Sequence, residues 1–304
     1  MAAESARADV AVRPGRARAV APAGAGWPRL VLEFCRKRTL GALGGAVVLL
    51  MVLVAVFAQV IAPADPYETS FLAQLKPPSA EHLLGTDTFG RDVFSRIVYG
   101  SRTALKIGFG AAFLGASLGA LIGVISAYFG GKVDLILERL MDLLISFPVL
   151  ILAIAVVSAL GNNDTNVIIA ITVPIIPRVA RVIRSSALSV RQMPYVEAAR
   201  CTGADHARIV ARHMLPNVMA PYLVLLTAFL GQAILSEAAL SFLGLGVAEP
   251  TPAWGLMLRG ASVQFLEKAP WLAIAPGVAI SLAVFAFNLL GDSLRDALDP
   301  RLRL

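Results

Sequence analysis

The polar segment of residues 194–217 carries side chains whose types and spacing suit the docking of a partner protein. Pro194 fits the first turn of a helix, because a first-turn residue has no intrahelical partner for its N–H. Glu197 follows near the positive end of the helix dipole. Ala198 and Ala199 leave the helix surface shallow, so another protein can pack closely against it. These residues predict a short helix that presents a binding face.

A second short helix is predicted over residues 204–214. Gly203 permits the turn between the two helices because glycine tolerates positive φ. Pro216 is expected to stop the second helix before the next apolar stretch. The basic rim is formed by Arg200, Arg208 and Arg212, and the apolar side by Ile209, Val210 and Met214. The pattern is typical of an amphipathic helix that projects from a larger assembly towards a soluble partner.

The sequence contains no motif for nucleotide hydrolysis or proteolysis. Gly131-Lys132 lacks the upstream glycine and the following hydroxyl of a phosphate-binding loop. Neither a Ser/His/Asp arrangement nor His-Glu-x-x-His is present. We therefore expect no catalytic residue and no bound cofactor, and any energy from ATP must come through a partner.

Thiols and imidazoles are too few and too scattered to predict a disulfide framework or a metal site. Cys35 and Cys201 are the two cysteines, and both are expected to be reduced and unpaired. His206 and His213 are seven residues apart and could share a helix face, but neither His82 nor any other ligand accompanies them. No metal is expected.

The composition indicates that lipid is the main solvent of this chain. Hydrophobic residues make up 57% of the 304 residues and charged residues only 15%, whereas a soluble domain has about 45–50% and about 25%. Such a chain has too little polar surface to cover a globule. Nothing in this composition points to nucleic acid as a partner.

Six apolar stretches approach the ~20 residues that a helix needs to cross the hydrocarbon of a bilayer. They are residues 40–61, 105–128, 143–160, 166–180, 220–243 and 271–290. They predict an all-α polytopic membrane protein with six transmembrane helices. The fourth stretch contains Pro174 and Pro177, so we expect it to be kinked and buried inside the bundle, where neighbours can satisfy the freed carbonyls.

The distribution of Lys and Arg predicts that both termini are cytoplasmic. With the N-terminus inside, the inner segments hold 20 of these residues and the outer segments 7. Residues 1–39 are interpreted as a disordered basic cytoplasmic tail, and 292–304 as a cytoplasmic C-terminal tail. The tail and first apolar stretch together exceed a cleaved signal peptide, so this stretch is interpreted as a retained anchor. The predicted location is a bacterial cytoplasmic membrane.

Three further groups of residues allow two interpretations each. Glu237 is a carboxylate at membrane depth, which is costly; it serves either a structural hydrogen bond or the translocation path. Gly115, Gly119 and Gly123 repeat every four residues, which suits close helix packing, although glycine could also mark a moving contact. Asp87, Arg91 and Asp92 either cap the helix that leads into the second span or contact an external partner.

The spacing Glu197-Ala198-Ala199, three residues and then Gly203 resembles the EAA loop of binding-protein-dependent ABC importer permeases. The motif positions by this resemblance are Glu197, Ala198, Ala199, Gly203 and Ala204, with Leu215 and Pro216 as the distal pair. Two positions before Leu215 the general pattern has an apolar residue, whereas this sequence has His213. In having His at this position the sequence resembles the peptide-importer branch of the family. Residues 82–87 with 90–92, 237–246, 252–255 and 291–301 resemble the C-type inner-membrane subunit of dipeptide and oligopeptide importers, so the resemblance covers about residues 30–304.

The resemblance implies a type I ABC importer transmembrane domain over 105–291, with the coupling loop at 181–217 and residues 40–104 forming the first helix and an external loop. It implies a homologous second permease, two ATPase subunits that bind ATP and Mg, and an extracytoplasmic substrate-binding protein. Dipeptides, oligopeptides, glutathione, nickel complexes and haem all remain open as substrates.

Two other functional classes fit the sequence less well. A secondary transporter or channel predicts ionisable residues inside the spans, and the near absence of charge there disfavours it. A membrane enzyme is disfavoured by the lack of a catalytic constellation. Co-purification with an ATPase discriminates all three classes.

Overall fold

The computed structural model describes residues 38–261 and 267–298, and within these ranges the regular elements are helices, with no strand. The predicted all-α class is confirmed. The helices are α1 (Thr39–Val56), α2 (Ala58–Ile61), α3 (Val93–Phe129), α4 (Gly131–Ile145), α5 (Val149–Leu160), α6 (Asp164–Arg191), α7 (Pro194–Cys201), α8 (His206–Ile209), α9 (Met219–Phe242), α10 (Trp254–Gly260) and α11 (Trp271–Leu298). Residues 1–37 of the predicted N-terminal tail, Cys35 included, lie outside the described residues, whereas Thr39 at its predicted end already begins α1.

Five helical stretches in the described ranges are long and apolar enough to cross a membrane: α1, α3, α6, the run His206–Phe242 and α11. The pair α4–α5 passes the same test only as a unit that is bent by 93°. The predicted third stretch, residues 143–160, is therefore divided by this bend between the end of α4 and α5. Pro148 lacks an N–H and disfavours helical geometry at Phe147, so the helix ends before them. Six spans are obtained when this bent pair counts as one.

Helix α3 begins twelve residues before the predicted start at 105, because Asp92 caps it. The carboxylate of Asp92 accepts a hydrogen bond from the backbone N–H of Ser95 at 2.8 Å. Arg91 pairs with Asp87 in the preceding turn at 2.9 Å. The interpretation of these residues as a helix-capping polar turn is confirmed.

Helices α3 and α6 run parallel and form the centre of the bundle. Lys106 pairs with Asp164 at 2.7 Å near the start of α6, and Arg191 at its end donates to the carbonyl of Ala127 at 2.9 Å. We call these levels the Lys106 end and the Arg191 end of the bundle. Between them, a Cβ added to Gly119 would lie 2.6 Å from the carbonyl oxygen of Ile176. The packing interpretation of the glycine repeat is confirmed.

Helix α6 is continuous from Asp164 to Arg191, eleven residues beyond the predicted end of the fourth span. Pro174 and Pro177 lie inside it and are buried, so the predicted position inside the bundle is confirmed. The kink expected at these prolines stays a prediction. The extension brings Arg181 and Arg184 into the helix, whereas Arg178 already lies within the predicted stretch 166–180.

The segment between α2 and α3 folds over the Lys106 end. The indole of Trp271 donates to the carbonyl of Thr86 at 3.3 Å, and that of Trp254 to the carbonyl of Ile97 at 3.0 Å. The first bond ties the segment to the first turn of α11, whereas the second joins α3, which contains Ile97, to the first turn of α10. At the other end of α11 the helix continues to Leu298, so residues 292–298 of the predicted C-terminal tail are helical.

Candidate functional site

The first half of the predicted docking segment is α7, and its end shows why glycine is required at the break. Gly203 has φ +79°, in the left-handed region. Its N–H donates to the carbonyl of Arg200 at 3.0 Å, and the N–H of Ala204 donates to that of Ala199 at 3.1 Å. This pair of bonds is a Schellman motif. A Cβ on Gly203 would meet nothing within 4 Å, so backbone conformation alone selects glycine. The predicted break is confirmed.

The second half begins at His206 and does not stop where expected. Asp205 caps α8 by accepting from the N–H of Arg208 at 3.1 Å. The helix then widens into a π turn (Val210–Met214), followed by a 3₁₀ turn (Leu215–Val218) that joins α9. The prediction that Pro216 stops the helix is therefore wrong. Pro216 lies in the first turn of the 3₁₀ segment, where its missing N–H leaves no bond unmade. The docking segment is thus continuous with α9.

Buried side chains hold this segment against the bundle. Val196, Ile209 and Met214 are at most 1% exposed. The hydroxyl of Tyr128, in the last turn of α3, lies 2.6 Å from Nδ1 of His206. The guanidinium of Arg200 lies over the Tyr128 ring, 5.1 Å from its centroid. The segment is therefore attached to α3 as well as to α6 and α9.

The exposed face of the segment is smaller than the motif. Among the motif residues, Glu197, Ala198, Gly203 and Pro216 are exposed, whereas Ala199, Ala204 and Leu215 are half-buried and pack on the hydrophobic core. Arg200, Cys201, Arg208 and Arg212 are also exposed. The sequence predicts that Ala198 and Ala199 lie on the same face, the one that binds the partner protein. The structure separates them, because Ala198 is exposed and Ala199 packs against the hydrophobic core.

Glu237, the candidate for the translocation path, is buried inside this chain. Its side chain is in α9 and only 1% exposed. Its Oε1 accepts a hydrogen bond from the hydroxyl of Ser241, one turn later, at 2.6 Å. This geometry favours the structural alternative.

Sequence reasoning missed the contact between Tyr128 and His206. The two residues are 78 positions apart, and no local pattern joins them. It also counted Arg178 among the inner Lys and Arg residues, although Arg178 lies within the predicted stretch 166–180 and within α6. In the part of the chain that the structure describes, no group of three or more His, Cys, Asp and Glu could hold a metal ion.

Comparison with known protein families matches residues 119–304 to the binding-protein-dependent transport system inner membrane component. The chain belongs to this family. Residues 29–78 match the N-terminal transmembrane domain of oligopeptide transport permease C. The protein is thus a permease subunit of an ABC transport system.

Curated relatives and one solved structure agree with this assignment. The permease is 42% identical over 268 residues to the dipeptide transport system permease protein DppC of Alkalihalophilus pseudofirmus, covering 88% of each chain. It is 46% identical over 262 residues to a putative peptide transport system permease protein of Brucella abortus, covering 86% of this chain and 88% of that protein. It is 42% identical over 269 residues to the glutathione transport system permease protein GsiD of Escherichia coli, covering 88% of each chain.

The fold is similar to a chain of the MetNI methionine ABC transporter in inward-facing conformations. The TM-score is 0.54 at 19% sequence identity, covering 67% of the permease and 96% of that chain. The predicted fold, that of a type I ABC importer transmembrane domain, is confirmed.

Proposed function

We propose that this permease imports peptides or related small peptide-like solutes, driven by two ATPase subunits on separate chains. It would pair with a homologous second permease to enclose the pathway and receive substrate from an extracytoplasmic binding protein. The observation that carries the coupling part of this proposal is the exposed face of residues 194–216, which is attached to the three long helices α3, α6 and α9.

The exposed face has the chemistry of a docking surface. Ala198 and Cys201 leave it shallow, while Arg200, Arg208 and Arg212 surround it with positive charge. A soluble partner with a matching groove and an acidic rim would fit it. In this proposal the partner is the ATPase, which binds ATP and Mg, and this chain itself holds no cofactor.

A rigid connection would transmit ATPase closure to the bundle. The segment continues into α9, follows α6 after two residues and is bonded to α3 through Tyr128 and His206. A displacement of the segment therefore acts on α3, α6 and α9 together. Nucleotide binding to the ATPases would favour one of two conformations of the pathway, which is alternating access by population shift.

The substrate class is proposed from the relatives. Their names give dipeptides, peptides and glutathione as transported solutes, which share a small peptide skeleton. We infer that this permease carries solutes of that class. Its location would be a bacterial cytoplasmic membrane, with the Arg191 end of the bundle inside.

Cross-linking from Cys201 tests the coupling role. Cys201 is exposed in the docking segment, so with Cys35 changed to Ser it is a single defined probe. In the assembled complex, a short bifunctional thiol reagent should join Cys201 to the ATPase and not to the binding protein. A matched control places the cysteine at exposed Glu81, at the opposite end, in a Cys201→Ser background; it should join the binding protein instead. No ATPase product from Cys201 would refute the assignment of this segment.

A further inference from the structure

Arg178 is a charged residue at the middle of a membrane-spanning helix. It is the fifteenth of the 28 residues of α6, ~20 Å along the helix axis from either end. The hydrocarbon of a bilayer covers ~20 residues of a helix. Every window of that length within α6 contains Arg178, so this residue lies inside any hydrocarbon layer that α6 alone spans. An ionisable side chain there indicates a function.

The neighbouring arginines of α6 have partners on α4, but Arg178 has none. Asp134, Glu138 and Asp142 are spaced four apart on α4 and face α6. Arg184 pairs with Asp134 at 2.6 Å and Glu138 at 3.5 Å, and Arg181 pairs with Asp142 at 2.6 Å.

These ion pairs show that α4 runs antiparallel to α6, so the next position towards Arg178 is Ser146. Its hydroxyl donates to the carbonyl of Leu143 at 2.7 Å. Among the residues that the structure describes, Arg178 makes no ion pair and no side-chain hydrogen bond. The row of acidic residues on α4 therefore ends one helical turn before the position that would face Arg178.

The face of α6 around Arg178 is not a lipid face. Its exposed residues towards the Arg191 end are Arg178, Arg181, Val182, Ser185 and Ser189. By contrast, α11 exposes Ile274, Val278, Leu282 and Phe285. A surface in contact with acyl chains is apolar, whereas a charged residue in a span faces protein or a water-filled cavity.

An open groove of about 560 Å³ begins one turn from Arg178. It lies between α6, α9 and α11 and is lined by Val182, Ser186, Val224, Ala228 and Arg295, among others. The polar stripe borders a space that a small solute could enter.

We propose that Arg178 lies on the translocation pathway and pairs there with a carboxylate of the peptide substrate. This inference rests on the proposed function. A guanidinium matches a carboxylate with two parallel hydrogen bonds, and a peptide with a free C-terminus carries one carboxylate whatever its sequence. A lipid phosphate fits less well, because headgroups lie at the ends of the helix. An acid from the second permease is the other candidate, and the experiment separates it.

Replacing and restoring the charge tests the proposal in the intact importer. The variant Arg178→Cys is made with Cys35→Ser and Cys201→Ser, and the complex with its ATPases, second permease and binding protein is reconstituted in liposomes. ATP-driven uptake of a mixture of di- to pentapeptides is measured by mass spectrometry. We expect uptake to fall about tenfold, the size of one lost charge-assisted contact. Methanethiosulfonate carrying an ethylammonium group should restore most of it, and ethylsulfonate should not.

Arg139→Cys in the same background is the matched control. Arg139 is 77% exposed on α4, so either reagent should label it without changing uptake. Normal uptake by Arg178→Cys, or equal uptake after both reagents, would overturn the proposal. Loss of the second permease from the purified Arg178→Cys complex would also overturn it, in favour of a subunit contact. If the importer without the Arg178 change takes up no peptide with ATP, the proposed function itself fails, and this inference with it.

Discussion

At the scale of single residues, Gly203 offers the cleanest test of the docking segment, since its φ of +79° is the only reason for glycine there. A side chain in this conformation costs about 1–2 kcal/mol, so Gly203→Ala should loosen the end of α7. We expect membrane insertion to be unchanged and ATP-dependent uptake to fall several-fold. Gly203→Asn is the control, because asparagine tolerates left-handed geometry, and it should keep most uptake. Equal uptake by both variants would contradict this account.

Ala198 and Ala199 should respond differently to a bulky side chain. Ala198 is exposed and Ala199 packs on the core. Ala198→Trp should leave the melting temperature of the purified permease unchanged and abolish co-purification of the ATPase. Ala199→Trp should lower the melting temperature, because overpacking costs about 1–3 kcal/mol. Retention of the ATPase by Ala198→Trp would show that this face is not the docking surface.

Glu237 should be needed for folding and not for passage of substrate. Removing its carboxylate leaves the buried hydroxyl of Ser241 without this acceptor, at a cost of about 1–3 kcal/mol. Glu237→Ala should lower the yield of folded complex, and Glu237→Gln, which keeps an acceptor oxygen, should lower it less. Uptake per assembled complex should be normal in both. Impaired uptake by Glu237→Gln at full yield would return this residue to the pathway.

These residues show how far the sequence predicts the site. Gly203 could be placed correctly, because its role depends on local backbone geometry. Glu237 could only be placed at membrane depth, since its burial depends on how α9 packs against elements distant in sequence. Arg178 could be placed in the fourth apolar stretch, but its lack of a partner depends on where the acidic residues of α4 end against α6, which no local pattern shows.

At the scale of elements, the helix bounds differ from the apolar stretches for a physical reason. Hydropathy reports which residues tolerate lipid, whereas a helix continues as long as its backbone bonds are satisfied. Helix α3 therefore starts at its cap, twelve residues before the second apolar stretch begins. Helix α6 ends eleven residues after the fourth apolar stretch ends. The bend at Pro148 was missed because the residues on both sides of it are apolar.

The contact between α3 and α6 should tolerate no side chain at Gly119. A Cβ there would approach the carbonyl oxygen of Ile176 to 2.6 Å, and this backbone atom cannot move aside without displacing α6. Gly119→Val should therefore destabilise the permease by about 1–3 kcal/mol, seen as a lower melting temperature in detergent. Gly277→Val in α11 is the control, since a Cβ there meets nothing within 4 Å. A similar melting temperature for both variants would mean that this contact adjusts freely.

At the scale of the whole molecule, the parallel pair α3 and α6 relates the two ends of the bundle. Both helices run from the Lys106 end to the Arg191 end, where the docking segment is attached. The segment between α2 and α3 covers the opposite end. An importer needs its ATPase and its binding protein on opposite sides of the membrane, and this arrangement provides two separate surfaces for them.

The orientation of the bundle is the last prediction, and the coupling proposal depends on it. The predicted inner segments hold 20 Lys and Arg against 7 in the outer ones, which favours cytoplasmic termini and a cytoplasmic Arg191 end. Reporter fusions at Ala80 and Glu267 should be external, and a fusion at Gln192, between α6 and α7, should be internal. Blocking of surface thiols by an impermeant reagent in whole cells provides a second measurement with cysteine at the same positions. An external Gln192 would place the docking segment opposite the cytoplasmic ATPase, and the proposed coupling through residues 194–216 would then be impossible.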